Sequence, residues 1–395
     1  MCATASNQAP SSYRFGFVLN TAIGNMTRYV NLRKYAELDK TVSFVWAPVT
    51  HYFPAEKAPL LRWAPHGIRL RALVIIQTMP VFKQLDRLDA VMVHLFEADI
   101  LLSWRRSVRK SPLVFSSTDE APMVDRANYP LYPNDLKKPV WRQKFRLAID
   151  MWRVRHTDYF VPFSSWAARI LKESCNAPPS RVHPIHVGLD LELWPPVQRV
   201  VGQANSSRMK LLFVGTDFVR KGGELLLDVY ARHFQNLAEL HIVSRQAPRE
   251  LPPHVHAYRD LQTNDPRLRA LYAACDVLVV PTAADTGPLW VFMEAMASGM
   301  PIIGTNTGAN GELVRHGETG FIVPIGDANA LREAIAMLLS DPVRCAQMGA
   351  KGRALVESSY SAAINVPRIL QVMKDAVDAR RHRVRKPWSK GKKID

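Results

Sequence analysis

Residues 275–299 read CDVLVVPTAADTGPLWVFMEAMASG, and this stretch decides the fold. The apolar run Val277, Leu278, Val279, Val280 stops at Pro281 and gives way to a small, polar loop. A second apolar segment follows and carries one carboxylate, Glu294, before a Gly299-Met300-Pro301 turn. Another apolar run, Ile302-Ile303-Gly304-Thr305, comes next. A continuous apolar run bounded by turn residues is the pattern of a strand buried on both faces, so the order is strand, loop, helix, strand. In open parallel sheets ligands bind beyond the carboxyl ends of the strands, where residues 282–287 and 305–308 fall. The reading puts Glu294 at the start of a helix facing that crevice.

The same alternation runs through the rest of the chain. In the first half, strands are expected around 15–19, 42–46, 90–93, 113–116, 159–163 and 183–187, with helices near 25–35, 70–81, 141–152 and 166–173. The stretch 193–208 is poor in apolar residues and carries Pro195-Pro196, Gly202 and Asn205-Ser206-Ser207, which marks a linker. Strands at 211–214, 240–243, 277–280, 302–305 and 320–323 follow, with helices at 224–234, 268–274, around Glu294, 328–339, 347–357 and 364–377. The fold class expected is α/β, with two Rossmann-like parallel-sheet domains facing across a cleft. The divisions expected are a terminus at 1–12, a first domain at 13–194, a linker at 195–208 and a second domain at 209–360. A helix at 361–379 has the option of packing back on the first domain, and a basic tail, read as solvated and disordered, occupies 380–395.

Composition narrows the function. The chain has 395 residues, enough for two cores, and 47% hydrophobic residues beside 22% charged ones. Its four cysteines, Cys2, Cys175, Cys275 and Cys345, form no CxxC or Cys/His cluster, which excludes a zinc finger or a disulfide framework. No apolar run reaches the roughly 18–20 residues of a membrane span, and residues 1–12 lack the pattern of a secretory signal. A cytoplasmic setting is expected, with peripheral membrane contact as an alternative. The formal net charge is +17, of which +11 lies in residues 1–200 and +6 in residues 201–395. Eight bases between Arg380 and Lys393 account for the excess in the second half. Basic surfaces attract anionic lipid, nucleic acid or phosphorylated substrates.

Several residues stand where chemistry is expected. The loop GTDFVRKGG at 215–223 follows a strand and places Arg220 and Lys221 directly before Gly222-Gly223 and a helix. Glycines allow close backbone approach and the two cations suit a diphosphate; a turn with solvated cations is the alternative. His94 ends the strand at 90–93 and Asp119 follows the strand at 113–116; both lie on the expected ligand edge. Gly24 lies in a strand–loop–helix opening of the kind that cradles phosphate. In the helix at 141–152, Trp141, Phe145, Ala148 and Trp152 share one stripe, with Arg142, Arg146 and Arg153 on another face. The preferred reading packs those aromatics in the core; the other is an interfacial helix on an anionic membrane.

The second half resembles the family-4 retaining, nucleotide-sugar-dependent glycosyltransferases of GT-B architecture. The resemblance is carried in order by FVGTDFVRKGG, LYAACDVLVVPT, EAMASGMPIIGTNTGANGELV and HGETGFIVPIGD. In the first half VHLFEAD, VPFSSW and VHPIHVGLDLELW match more loosely. The resemblance implies that Glu294 holds the donor's ribose hydroxyls, since a carboxylate accepts from two vicinal hydroxyls. Lys221, aided by Arg220, would bind the diphosphate and stabilise the departing charge. His94 would contact the donor sugar, while Gly24 and Gly215 would line the diphosphate loops. Asp119 is the candidate for orienting the acceptor.

One departure stands out: the family's first glutamate is replaced here by Thr286, followed by Gly287 and by Pro288, which has no N–H. Asp285, one position early, is the candidate replacement carboxylate. The resemblance implies a nucleotide-diphosphate sugar as donor substrate and a carbohydrate, lipid-linked or small-molecule acceptor. It implies no further cofactor and no catalytic metal. Two rivals remain, a non-catalytic protein on the same scaffold that binds nucleic acid or anionic membrane, and a sugar-nucleotide epimerase. Nucleic acid is disfavoured because the bases are not interleaved with a recognisable aromatic stacking platform.

Overall fold

The computed structural model describes residues 12–21, 25–50, 66–94, 111–118, 139–197, 208–263, 265–287 and 289–385. Two parallel sheets organise them. The first contains β1 (Tyr13–Asn20), β2 (Val42–Val49), β3 (Ala90–His94), β4 (Leu113–Thr118) and β5 (Tyr159–Pro162), in the order β2-β1-β3-β4-β5. Its strands are short apolar runs, and Phe15, Phe17, Leu19 and all five residues of β3 are buried. Helices α1 (Asn25–Ala36), α2 (His66–Phe82), α3 (Val140–His156) and α4 (Ser165–Glu173) accompany it. Ser164 starts α4 by accepting from the Ala167 N–H at 3.1 Å.

The second sheet contains β6 (Met209–Val214), β7 (Ala238–Val243), β8 (Val255–Tyr258), β9 (Val277–Val280), β10 (Ile302–Thr305) and β11 (Gly320–Val323). Its order, β11-β10-β9-β6-β7-β8, is the doubly wound dinucleotide-fold order read from the other edge. Around it lie α5 (Gly223–His233), α6 (Pro266–Ala274), α7 (Trp290–Ala297), the single turn α8 (Asn310–Leu313), α9 (Ala328–Ser340) and α10 (Pro342–Ser359). The last helix, α11 (Ala362–Arg385), belongs spatially to the first sheet: Val366, Ile369, Leu370 and Met373 are buried with Phe15, Phe17 and Leu32.

The chain therefore crosses between the two units twice, and the crossings are tied together. The Leu189 N–H donates to the Tyr360 carbonyl at 2.7 Å and the Ala362 N–H to the Leu189 carbonyl at 2.8 Å. Gly188 makes the tie possible: its φ is +82°, and a Cβ there would run into the Tyr360 carbonyl.

Four expectations need correction. Residues 183–187 are no strand. The His183 and Ile185 N–H groups donate to the Phe160 and Pro162 carbonyls at 2.9 Å each, but Pro162 has no N–H to return a bond, so the ladder stays one-sided. Strand β8 was not anticipated, because VHAY is a half-exposed edge with no apolar run. The stripe on α3 points the other way: Trp141 and Phe145 are 65% and 64% exposed, and the charged pair Arg153–Asp150 is buried instead, at 2.6 Å. Residues 380–385 continue α11 rather than forming a disordered tail; Arg380 donates to the Ser111 carbonyl at 2.7 Å and Arg381 meets Asp89 at 3.1 Å. Residues 386–395 lie outside the described residues.

The packing of α11 gives a paired prediction. Leu370→Ala, at a site 1% exposed in the first core, should lower stability by about 2–5 kcal/mol. Ile364→Ala on the same helix, at a site 41% exposed, should cost no more than about 0.5 kcal/mol. Thermal and urea unfolding measure both, and equal effects would show that α11 is not part of the first core.

Candidate functional site

In the second sheet the topological switch point lies between β6 and β9, which are neighbours although two strands separate them in sequence. From β6 the chain winds outward through β7 and β8, and from β9 it winds the opposite way through β10 and β11. The loops leaving β6 and β9 therefore diverge, and a crevice opens at their carboxyl ends. Arg220 and Lys221 sit on the first loop and Asp285 on the second.

These three residues meet. Lys221 Nζ donates to both oxygens of Asp285, each at 2.9 Å, and Arg220 Nη1 reaches Asp285 Oδ1 at 3.0 Å. Thr282 Oγ1 donates to Asp285 Oδ2 at 2.5 Å. Arg220 also holds the Ala284 carbonyl at 2.6 Å and Asp217 at 3.1 Å, so its guanidinium ties the two loops together. The backbone supports the same closure, with the Ala283 N–H donating to the Arg220 carbonyl at 2.8 Å. Gly222, at φ +81°, lets the chain pass Pro281, whose carbonyl a Cβ would strike. The Gly215 backbone lies against Lys221, leaving 3.0 Å between its would-be Cβ and the lysine Cβ. Burial pushes the Lys221 ammonium pKa down, opposed by the Asp285 charge and aided by Arg220.

The β9 loop is also fixed from its far side. The Ala309 N–H donates to the Thr286 carbonyl at 3.0 Å, Thr305 Oγ1 donates to the Thr282 carbonyl at 2.5 Å, and Gly308 packs against the Asp285 and Thr286 carbonyls. Thr286 is buried and Gly287 half-buried. Pro288 lies outside the described residues.

Glu294 is not at the start of its helix but in the second turn of α7, and it is 6% exposed. It stands apart from the Asp285 cluster in hydrogen bonding, accepting from the Tyr272 hydroxyl of α6 at 2.8 Å. Burial lifts its pKa to about 7, with the Tyr272 hydrogen bond and the Arg269 charge opposing only part of the rise. Tyr272 was not legible as a partner, because helix spacing alone marks it as a core residue of α6.

On the facing sheet, His94 ends β3 in register with Ser117 and is 3% exposed. In the order β2-β1-β3 its strand borders the switch point of that sheet, between β1 and β3. Gly24 and Asp119 lie outside the described residues. The two units touch through Glu312 of α8, whose carboxylate accepts from the Ser165 N–H at 3.1 Å and the Trp166 N–H at 2.7 Å. Those amides begin α4, where a helix exposes N–H groups that favour an anion. Beside this contact lies an open cleft of about 860 Å³, lined by Arg169 and Trp166 from one unit and Asn306, Gly308 and Arg315 from the other. It adjoins the Thr286 loop through Gly308 and does not include Lys221 or Glu294. The sequence reading assigned no role to Glu312, although it lies in the quoted GANGELV segment.

The raised Glu294 pKa has a signed consequence. Between about pH 4.5 and pH 7 the folded protein holds a proton that the unfolded chain releases. This residue's contribution to stability therefore falls as pH rises through that window and levels off above it. Glu294→Gln removes the titration, so the variant should gain on the parent by about 3 kcal/mol between acidic and alkaline ends of the window. Urea unfolding at both ends measures it; a difference that stays constant with pH would place the raised pKa elsewhere.

Known proteins resemble the chain in sequence and in fold. Residues 208–341 match the family of glycosyl transferases group 1. D-inositol 3-phosphate glycosyltransferase 1 of Catenulispora acidiphila is 29% identical over 232 residues, 52% of this chain and 54% of that one. The GDP-mannose-dependent alpha-(1-6)-phosphatidylinositol monomannoside mannosyltransferase of Mycobacterium tuberculosis is 37% identical over 111 residues, 28% of this chain and 26% of that one. The chain thus spans about half the length of the first and a quarter of the second. Among solved structures, sucrose-phosphate synthase from Thermosynechococcus elongatus superposes with a TM-score of 0.72 at 19% identity, over 93% of this chain and 100% of that one. Anabaena HepE in complex with UDP-glucose gives 0.66 at 15%, over 93% and 100%. These structures share the fold, the GT-B arrangement of two α/β units. The match to the group 1 glycosyl transferases covers residues 208–341, the stretch that holds the Lys221–Asp285 crevice and Glu294.

Proposed function

We propose that this protein transfers a sugar from a nucleotide-diphosphate sugar to an acceptor hydroxyl, with retention of anomeric configuration. The observation that carries the reading is the meeting of Arg220, Lys221 and Asp285 at the β6/β9 switch point, inside a group 1 glycosyl transferase unit. An anionic ligand fits there because Lys221 and Arg220 share the Asp285 carboxylate, Arg220 having Asp217 as a second partner, in a crevice where burial strengthens any electrostatic contact.

In this reading Lys221 turns from Asp285 to the donor's diphosphate, while Arg220 stays as the tie between the loops. The bond from the anomeric carbon to the diphosphate breaks, the acceptor oxygen bonds to that carbon, and the acceptor's proton leaves on the diphosphate. Lys221 stabilises the charge that develops on the departing oxygen. Glu294 accepts from the ribose hydroxyls in its ionised form, so donor affinity rises with pH through about 7. His94 faces the sugar from the first unit, and closure of the two units excludes water.

Two readouts test the proposal. At least one nucleotide sugar from a panel should raise the melting temperature and be consumed when acceptors are supplied. Lys221→Ala should then lower turnover by about 10²–10³-fold, and Glu294→Ala should weaken donor binding by about 1–3 kcal/mol. A panel without any ligand would sink the enzyme reading, and altered donor released without an acceptor would make the protein an epimerase.

A further inference from the structure

The outward stripe of α3 is the least expected feature of the surface. Val140, Trp141 and Phe145 are 59%, 65% and 64% exposed in the first half of the helix, with Trp141 and Phe145 one turn apart. Every exposed charge on this helix is positive: Arg142, Lys144 and Arg155. Its single acid, Asp150, is buried against Arg153 at 2.6 Å. Arg142 lies over the Trp141 ring, its guanidinium carbon 5.2 Å from the centroid. The far end of the helix is anchored, since Trp152 packs against the cluster of Val18, Val91 and Val114 on one face of the first sheet.

Helix α2 covers that same face through Val74 and Val81, and it too exposes aliphatic surface, with Ile76 at 62% and Ile75 at 37%. Lys83 and Arg87, just beyond its end, are exposed cations. Asp86, exposed between Lys83 and Arg87, offsets one of those charges, so the two helices on this sheet face present large apolar side chains beside a net positive charge, in a half of the chain whose net charge is +11.

We infer that α3, with α2 beside it, docks on the surface of an anionic lipid bilayer. Trp141, Phe145 and Val140 would enter the headgroup–acyl boundary while Arg142 and Lys144 pair with lipid phosphates. The chemistry selects this occupant. Aromatic rings with flanking cations at a membrane interface gain from both burial and attraction to anionic lipid. Single-stranded nucleic acid also stacks on aromatics, but Val140, Ile75 and Ile76 offer it no π-face, whereas a bilayer accommodates them. The docking is independent of the transfer reaction, and its test needs no donor.

The test is co-sedimentation of the full chain with vesicles of phosphatidylglycerol mixed with phosphatidylcholine, and with phosphatidylcholine alone. Binding should require the anionic lipid and weaken as salt is raised. The double variant W141S/F145S should lose at least about tenfold in vesicle affinity with its melting temperature unchanged, because both side chains are exposed. R142Q/K144Q should lose the preference for anionic vesicles. Brominated lipid should quench fluorescence in the parent more than in W141F. No binding to anionic vesicles, or undiminished binding by W141S/F145S, would overturn the inference. Single-stranded RNA bound by the parent and lost in the same variant, without vesicle binding, would reassign the surface to nucleic acid.

Discussion

The carboxylate of Asp285 between Arg220 and Lys221 is the constraint on which the second unit's functional edge depends. A parallel sheet with a switch point leaves two loops diverging from neighbouring strands, and nothing in the sheet's own hydrogen bonds holds those loops near each other. Here a charged group does it, with side chains only 9–18% exposed. Charges so desolvated must be paired, and removing one partner from such a cluster typically costs about 3–5 kcal/mol. The geometry then dictates the local sequence. Gly222 lets the β6 loop pass the Pro281 carbonyl, Gly308 lets the β10 loop approach the same segment, and Thr282 satisfies a carboxylate oxygen at 2.5 Å.

Glu294 lives under the opposite regime. It is equally buried but has a phenol for a partner in place of a cation, so its proton stays on up to about pH 7. One carboxylate of the site is thus held by two positive charges and the other by a single neutral donor. Any ligand that bound the ionised form of Glu294 more tightly would, by linkage, couple binding to proton release. The raised pKa arises from burial, which the Tyr272 hydrogen bond and the Arg269 charge offset only in part.

The sheet strands were legible because a strand buried on both faces shows as an unbroken apolar run, as at Val277–Val280. The loop carrying Arg220 and Lys221 was legible as a strand-end turn with two cations, but the sequence left open whether they were solvated or buried, and the structure buries them against Asp285. What the sequence withheld is tertiary. Nothing local says that Tyr272 reaches Glu294, or that Glu312 caps a helix in the other unit. The stripe on α3 was visible, but amphipathicity carries no sign: a periodic apolar face can lie against a core or look outward, and Trp141 looks outward. Residues 183–187 misled for a different reason: the alternation of Ile185 and Val187 reads as a strand, but Pro162 of the neighbouring strand has no N–H to return to it.

The same reasoning bears on the departure at residue 286. Where the resembled family has a glutamate, this chain has Thr286, buried, with its carbonyl held by the Ala309 N–H at 3.0 Å. The carboxylate one position earlier faces the β6 loop and is occupied by Arg220 and Lys221. Moving an acid by one residue along an extended loop turns it to the other side of the chain, so Asp285 meets the cations, and position 286 carries a hydroxyl in place of a carboxylate. The loop is pinned on both sides, by Arg220 toward β6 and by Ala309 toward β10. A bed fixed in this way favours a ligand whose shape already matches it, because little conformational entropy remains to be lost on binding. Selectivity among sugars would then rest on the short side chains that line it, Thr286 first, and less on a carboxylate reaching for sugar hydroxyls.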